Sequence, residues 1–251
     1  MWLQGEIVGK PVHRLGLAGN YGIDEAGLNG ALDRGLNYAF FTSFKTGGMK
    51  RVLRKRRSEV VLAAGGGGPI GATVRWSCEH VLKQLGTDHI EVWHLFWAGV
   101  TSALTDSTFE ACQRLKEEGK IGAIATSIHD RPRAGKLAAD SPLDVLMVRY
   151  NAAHPGAERE IFPHLAPGKQ IVAYTATSWR KLLKAPKGWD GPVPTAGDCY
   201  RFCLSNPHVA VTLTGPGSLE QLDENLAGLE KGPMSQEELD WMREFGRAVH
   251  G

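Results

Sequence analysis

The sequence predicts an α/β fold, a single (β/α)8 TIM barrel with an N-terminal hairpin and an extra C-terminal helix. Three observations predict it. Eight short β-type runs alternate with eight helical stretches, the pattern of parallel strands joined by crossover helices. Glycines stand where helices should stop, as at Gly35, Gly86 and Gly119. The length of 251 residues suits one such barrel, and no linker divides it, so 1–251 reads as one domain.

The strands fall at 14–18, 37–42, 59–64, 89–97, 121–127, 143–149, 170–175 and 209–214. Helices are expected at 23–34, 48–57, 70–84, 107–118, 132–139, 156–165, 196–205 and 218–229. A last helix near 235–247 opens with Ser235 and Glu238 at capping-box spacing and carries Leu239, Met242 and Phe245 as a packing stripe. In such a barrel the loops after the strands carry the chemistry, so the residues just beyond each strand are the ones to weigh.

Composition excludes several classes of function. A net charge of +2 gives no electrostatic footprint for nucleic acid. No apolar run reaches membrane-spanning length, and Glu6 and Lys10 interrupt the segment where a signal peptide would carry its apolar core. Cys78, Cys112, Cys199 and Cys203 make no disulfide framework, which points to a reducing, cytoplasmic setting. The cations from Lys45 to Arg57 read as a solvated helix face, since no aromatic residues interleave them. The expected partner is a small molecule, and the oligomeric state is open.

Six stretches resemble the aldo-keto reductase superfamily: RLGLAGNYG at 14–22, ALDRGLNY at 31–38, LGTDHIEVWHLFW at 85–97, RLKEEGKIGAIATS at 114–127, VAYT at 172–175 and TGPGSLEQLDENL at 214–226. The resemblance implies the barrel fold, NADPH and carbonyl reduction by an Asp/Tyr/Lys/His tetrad in which Tyr is the general acid. The tetrad positions fall here on Phe40, Lys45, Gly65 and Phe96, and a shift of one in the first pair gives Phe41 and Thr46. Neither register supplies an acid or a phenol, so a divergent member with a degenerate tetrad is expected. Of the cofactor contacts that the resemblance implies, Ser127, Tyr174, Gly215, Pro216, Glu224 and Asn225 match, while Ile128, Met147 and Gly217 stand where Asn, Gln and a cation belong. NADP or NAD would therefore meet a weakened site.

The residues themselves nominate other chemistry. His129 follows strand five with inward parity and is the first choice of acid/base, while Asp130 reads either as its partner or as the N-cap of the next helix. Arg149 ends strand six and reads as an anion clamp or as a rim ion pair with Asp130 or Glu158. Lys45 is a candidate base or Schiff-base nucleophile. Tyr21, Trp97 and Trp179 read as an apolar rim, with Asn151 and His154 as further substrate contacts. His94, one layer deeper, reads as a satisfied core histidine. Gly66, Gly68 and Gly71 meet the spacing of a dinucleotide fingerprint, but Glu91 lies at the wrong end of the next strand, so a pliable loop is the plainer reading. No metal set is expected: His129, His154 and Glu158 lack a tight motif, and Cys199 with Cys203 reads as buried packing.

Three functions stay open at this stage: acid/base (non-hydride) chemistry on a small anionic or carbonyl-bearing molecule at the barrel mouth, NAD(P)H-dependent carbonyl reduction with a relocated proton donor, and ligand binding without catalysis.

Overall fold

The computed structural model describes residues 2–19, 21, 23–42 and 47–250. An antiparallel hairpin of β1 (Gln4–Ile7) and β2 (Lys10–His13) leads into eight parallel strands. These are β3 (Leu15–Ala18), β4 (Tyr38–Phe41), β5 (Val61–Gly66), β6 (Ile90–Leu95), β7 (Ile121–Ile128), β8 (Val145–Arg149), β9 (Gln170–Tyr174) and β10 (Val209–Thr214). They pair in chain order, and β10 closes on β3. Every expected barrel strand is present, with ends moved by one or two residues.

The helices follow the expected order: α1 (Glu25–Asp33), α2 (Gly47–Lys55), α3 (Gly71–Leu85), α4 (Asp106–Glu117), α5 (Arg131–Ala139), α6 (Ala157–Glu160), α7 (Ala196–Ser205), α8 (Leu219–Leu229) and α9 (Gln236–His250). Gly35, Gly86 and Gly119 take the left-handed backbone that ends helices. One expectation is corrected. The helix at 156–165 breaks after Glu160 into a short 3-10 turn, Phe162–His164, because Pro163 offers no N–H to continue it.

Alternate strand residues divide the core in two. Tyr38, Phe40, Val61, Ala63, Val92, Ala125, Val145, Met147, Val172, Val211 and Leu213 fill the barrel, while Leu17, Phe41, Leu62, Trp93, Ile124 and Leu146 pack outward under the helices. Ile7 and Val12 of the hairpin join the inner set and fill the N-terminal end of the barrel. The hairpin is pinned there by Gln170, which accepts from the Val8 N–H at 2.7 Å and donates to the Glu6 carbonyl at 2.9 Å. Among the described residues no helix is long and apolar enough to cross a membrane.

Candidate functional site

The C-terminal rim holds two cavities that share the side chains of Phe40, Met147 and Tyr174. The first, about 500 Å³, is lined also by Gly65, Gly66, Gly67, Phe96, Trp97, Thr101, Ser127 and His129. The second, about 350 Å³, continues past Tyr21, Thr175, Thr177, Trp179, Arg180, Leu213 and Gly215. Both are in the size range of small-ligand sites. Tyr21, Trp97 and Trp179 are each about half exposed at the rim.

β7 delivers His129 to the mouth because Ala125, Ser127 and His129 share one parity. The Tyr174 hydroxyl lies 3.0 Å from His129 Nδ1 and 3.2 Å from Nε2. Trp97 meets the same imidazole edge-on at 6.1 Å between ring centres. Burial, and then the Arg149 charge, hold the His129 pKa below its ordinary value, so the ring is neutral near pH 7. Burial pushes the Tyr174 phenol up to about 12. The Arg149 guanidinium lies 5.9 Å over the Trp179 ring. Among the described residues it makes no ion pair with Asp130 or Glu158.

Other nominated residues have structural work. Asp130 accepts the Arg133 N–H at 3.0 Å and caps α5, the simpler of its two readings. Asn151 is wholly buried and does not reach the mouth as expected: it donates to the Thr175 carbonyl at 2.7 Å and accepts from His154 N–H at 2.9 Å. His154 lines neither mouth cavity and lies tilted against His250, with ring centres 4.8 Å apart. Lys45 lies outside the described residues. Glu91 holds Arg57 and the Leu62 N–H, in keeping with the loop reading of the glycine motif. Cys199 and Cys203 are buried. His94 is buried against Phe40 at 5.3 Å, but it is not satisfied: among the described residues neither ring nitrogen has a partner, and burial drives its pKa down to about 3.

Three positions onto which the resemblance maps the tetrad, Phe40, Gly65 and Phe96, line the first cavity, with the Phe40 and Phe96 rings edge-on at 5.7 Å. Of the implied cofactor contacts, Tyr174 faces both cavities, and Ser127 accepts the Trp97 N–H at 2.8 Å. Tyr21 lies over Gly215, so close that a Cβ there would meet its ring at 2.5 Å. Pro216 is buried, Glu224 exposed, and Asn225 buried with its amide 3.4 Å from the Thr214 hydroxyl. Sequence reasoning missed Thr101, Thr177 and Arg180. The last two lie in the loop after β9, so the rule that chemistry follows the strands would have included them.

No group of three or more His, Cys, Asp or Glu among the described residues is arranged to hold a metal ion. The model of the aldo/keto reductase family matches residues 19–185. An uncharacterized oxidoreductase of Bacillus subtilis, YqkF, is 23% identical over 84% of this chain and 84% of its own. Human aflatoxin B1 aldehyde reductase member 2 is 24% identical over 71% of this chain and 64% of its own. Among solved structures, an aldo-keto reductase of Bacillus halodurans in its holo form superposes with a TM-score of 0.81 at 20% identity, covering 98% of this chain and 96% of that one. One from Klebsiella pneumoniae in complex with NADPH gives 0.81 at 22%, covering 97% and 95%. With its barrel closed in this order and the family model spanning more than half of its length, the chain belongs to the aldo/keto reductase family.

Proposed function

We propose that this chain is an enzyme acting on a small anionic or carbonyl-bearing molecule by acid/base chemistry at the barrel mouth, without hydride transfer. The observation that carries the reading is the His129–Tyr174 pair in the wall of the first cavity, under the influence of the Arg149 charge. His129, neutral at pH 7, is the base. Tyr174 keeps its proton and lies within hydrogen-bond distance of both imidazole nitrogens. Arg149 lines neither cavity itself, but its guanidinium lies 5.9 Å over the Trp179 ring of the second one and is the positive charge assigned to a carboxylate or an enolate oxygen. Phe40, Phe96 and Trp97 give the first cavity an apolar wall.

The test is deuterium uptake from D2O into a panel of 2-keto acids and simple carbonyl compounds, followed by proton NMR. A general base is worth about 100-fold or more, so wild type should exchange at least one member that His129→Gln leaves nearly untouched. Equal rates for the two proteins sink the assignment.

One observation favours a second reading, nicotinamide-dependent carbonyl reduction: the second cavity runs from Tyr174 to Gly215, along positions where the resemblance puts the cofactor. The fit is partial. A nicotinamide ring has the Tyr174 face, but Ile128 is packed outward under the helices, Met147 is apolar, and the Gly217 N–H is taken by Gln221 at 2.9 Å. We therefore derive no hydride step. Calorimetric titration with NADPH and NADH decides the matter, and no binding of either at millimolar concentration removes this reading.

A further inference from the structure

We infer that the cleft between α9 and the loop joining β8 to α6 is a binding site for a small phosphoryl anion, separate from the barrel mouth. The cleft encloses about 560 Å³ and shares no lining residue with the two mouth cavities. Its floor is Ala152, Ala153 and Pro155, and Arg159, Arg243, Arg247 and His250 stand around it.

The charge there is one-sided. The only acid among the lining residues, Glu158, is occupied: it takes Arg243 at 2.9 and 3.1 Å and the Tyr150 hydroxyl at 2.7 Å. Nearby Glu160 is held by Arg131 at 2.8 Å. Among the described residues no carboxylate lies within ion-pair distance of Arg159 or Arg247. Among the described residues, two guanidinium groups, one from α6 and one from α9, thus line the same cleft with no carboxylate paired to them, and a polyvalent anion there would pair with both at once.

The frame is rigid. α9 approaches the loop so closely at Gly246 that a Cβ there would sit 2.1 Å from the Ala152 carbonyl oxygen. Arg243 is fixed by Glu158 and lies over the Phe202 ring at 5.7 Å. The neighbouring His154 lies tilted against His250, with ring centres 4.8 Å apart, and burial first, then the charges of Arg149, His250, Arg131 and Lys181, bring its pKa down to about 4, so it can report an anion bound beside His250.

The donor geometry selects the ligand class. Planar forks reaching in from two elements, with an imidazole, suit a tetrahedral group that offers oxygens on several sides, whereas a single carboxylate is saturated by one fork. The Ala-Ala-Pro floor leaves room for a short apolar body.

The test is calorimetric titration of inorganic pyrophosphate at fixed ionic strength, with succinate as the carboxylate arm, while the His154 imidazole resonances are followed by NMR. Saturable binding is expected, with the His154 pKa raised by roughly one unit. Arg159→Gln combined with Arg247→Gln should weaken it tenfold or more, and both side chains are exposed, so the fold should persist, as circular dichroism would verify. Arg149→Gln at the mouth should leave it within about twofold. A response that follows ionic strength alone overturns the site, as does loss of binding in Arg149→Gln or its retention in the double variant. Succinate binding as tightly as pyrophosphate overturns the ligand class.

Discussion

Gly65→Ala should destabilise the barrel, although exchanging glycine for alanine ordinarily gains stability where the backbone allows it. The new Cβ would stand 2.6 Å from the His94 carbonyl oxygen and 2.9 Å from both His94 Cβ and Phe96 Cε1. The oxygen cannot swing aside, because β5 and β6 are locked in register from Ala63↔Val92 to Gly66↔Leu95. Overpacking a core costs about 1–3 kcal/mol, and a backbone obstacle places this case in the upper half of that range. Stiffening the unfolded chain returns about 0.4–1 kcal/mol. The net loss is about 1.5 kcal/mol, which for a chain of this size lowers Tm by about 3–6 °C. Thermal unfolding followed by circular dichroism measures it. An unchanged or higher Tm would refute the claim that β5 and β6 leave no room at the position where the family resemblance puts a lysine.

Asp130→Ala should cost about 1 kcal/mol in urea unfolding and leave turnover intact, because the carboxylate caps α5; a large loss of turnover would return Asp130 to the catalytic set. His94 has a folded pKa of about 3, below its unfolded value of 6.5, so the unfolded chain binds the extra proton and stability falls as pH drops from 6.5 towards 3. That amounts to on the order of 2 kcal/mol by pH 5, and His94→Leu should remove this part of the pH dependence of unfolding. The rate of the proposed exchange should fall on the acid side with an apparent pKa below 6.5, since only neutral His129 accepts a proton; an acid limb that survives in His129→Gln disproves the link. Gly246→Ala should lower Tm despite the better helix propensity of alanine, because its Cβ meets only loop backbone.

The barrel was legible because its signals are local and repeated. Leu15, Leu17, Phe41 and Leu62 fall outside the ring and Tyr38, Phe40 and Val61 inside it by simple alternation. The break after Glu160 is written in Pro163. The site was legible only as a set of positions. Parity put His129 at the mouth, but its partner Tyr174 is 45 residues away, and their meeting depends on the stagger of β7 through β9. Parity also misled at Asn151: beyond Arg149 the strand has ended, and the chain turns the amide back onto its own loop. The cleft beside α9 had no sequence signal, since Arg159 and Arg247 come together only when α9 docks.

The hairpin at the foot of the barrel has a kinetic consequence. With Ile7 and Val12 filling that end and Gln170 fastening the turn, the mouth serves as both entrance and exit for anything handled there. In the proposed reaction, reactant and product would contend for one doorway. In that reaction a slowly leaving product would act as a competitive inhibitor, and a molecule in the neighbouring cavity against Tyr174 would stand beside the same doorway.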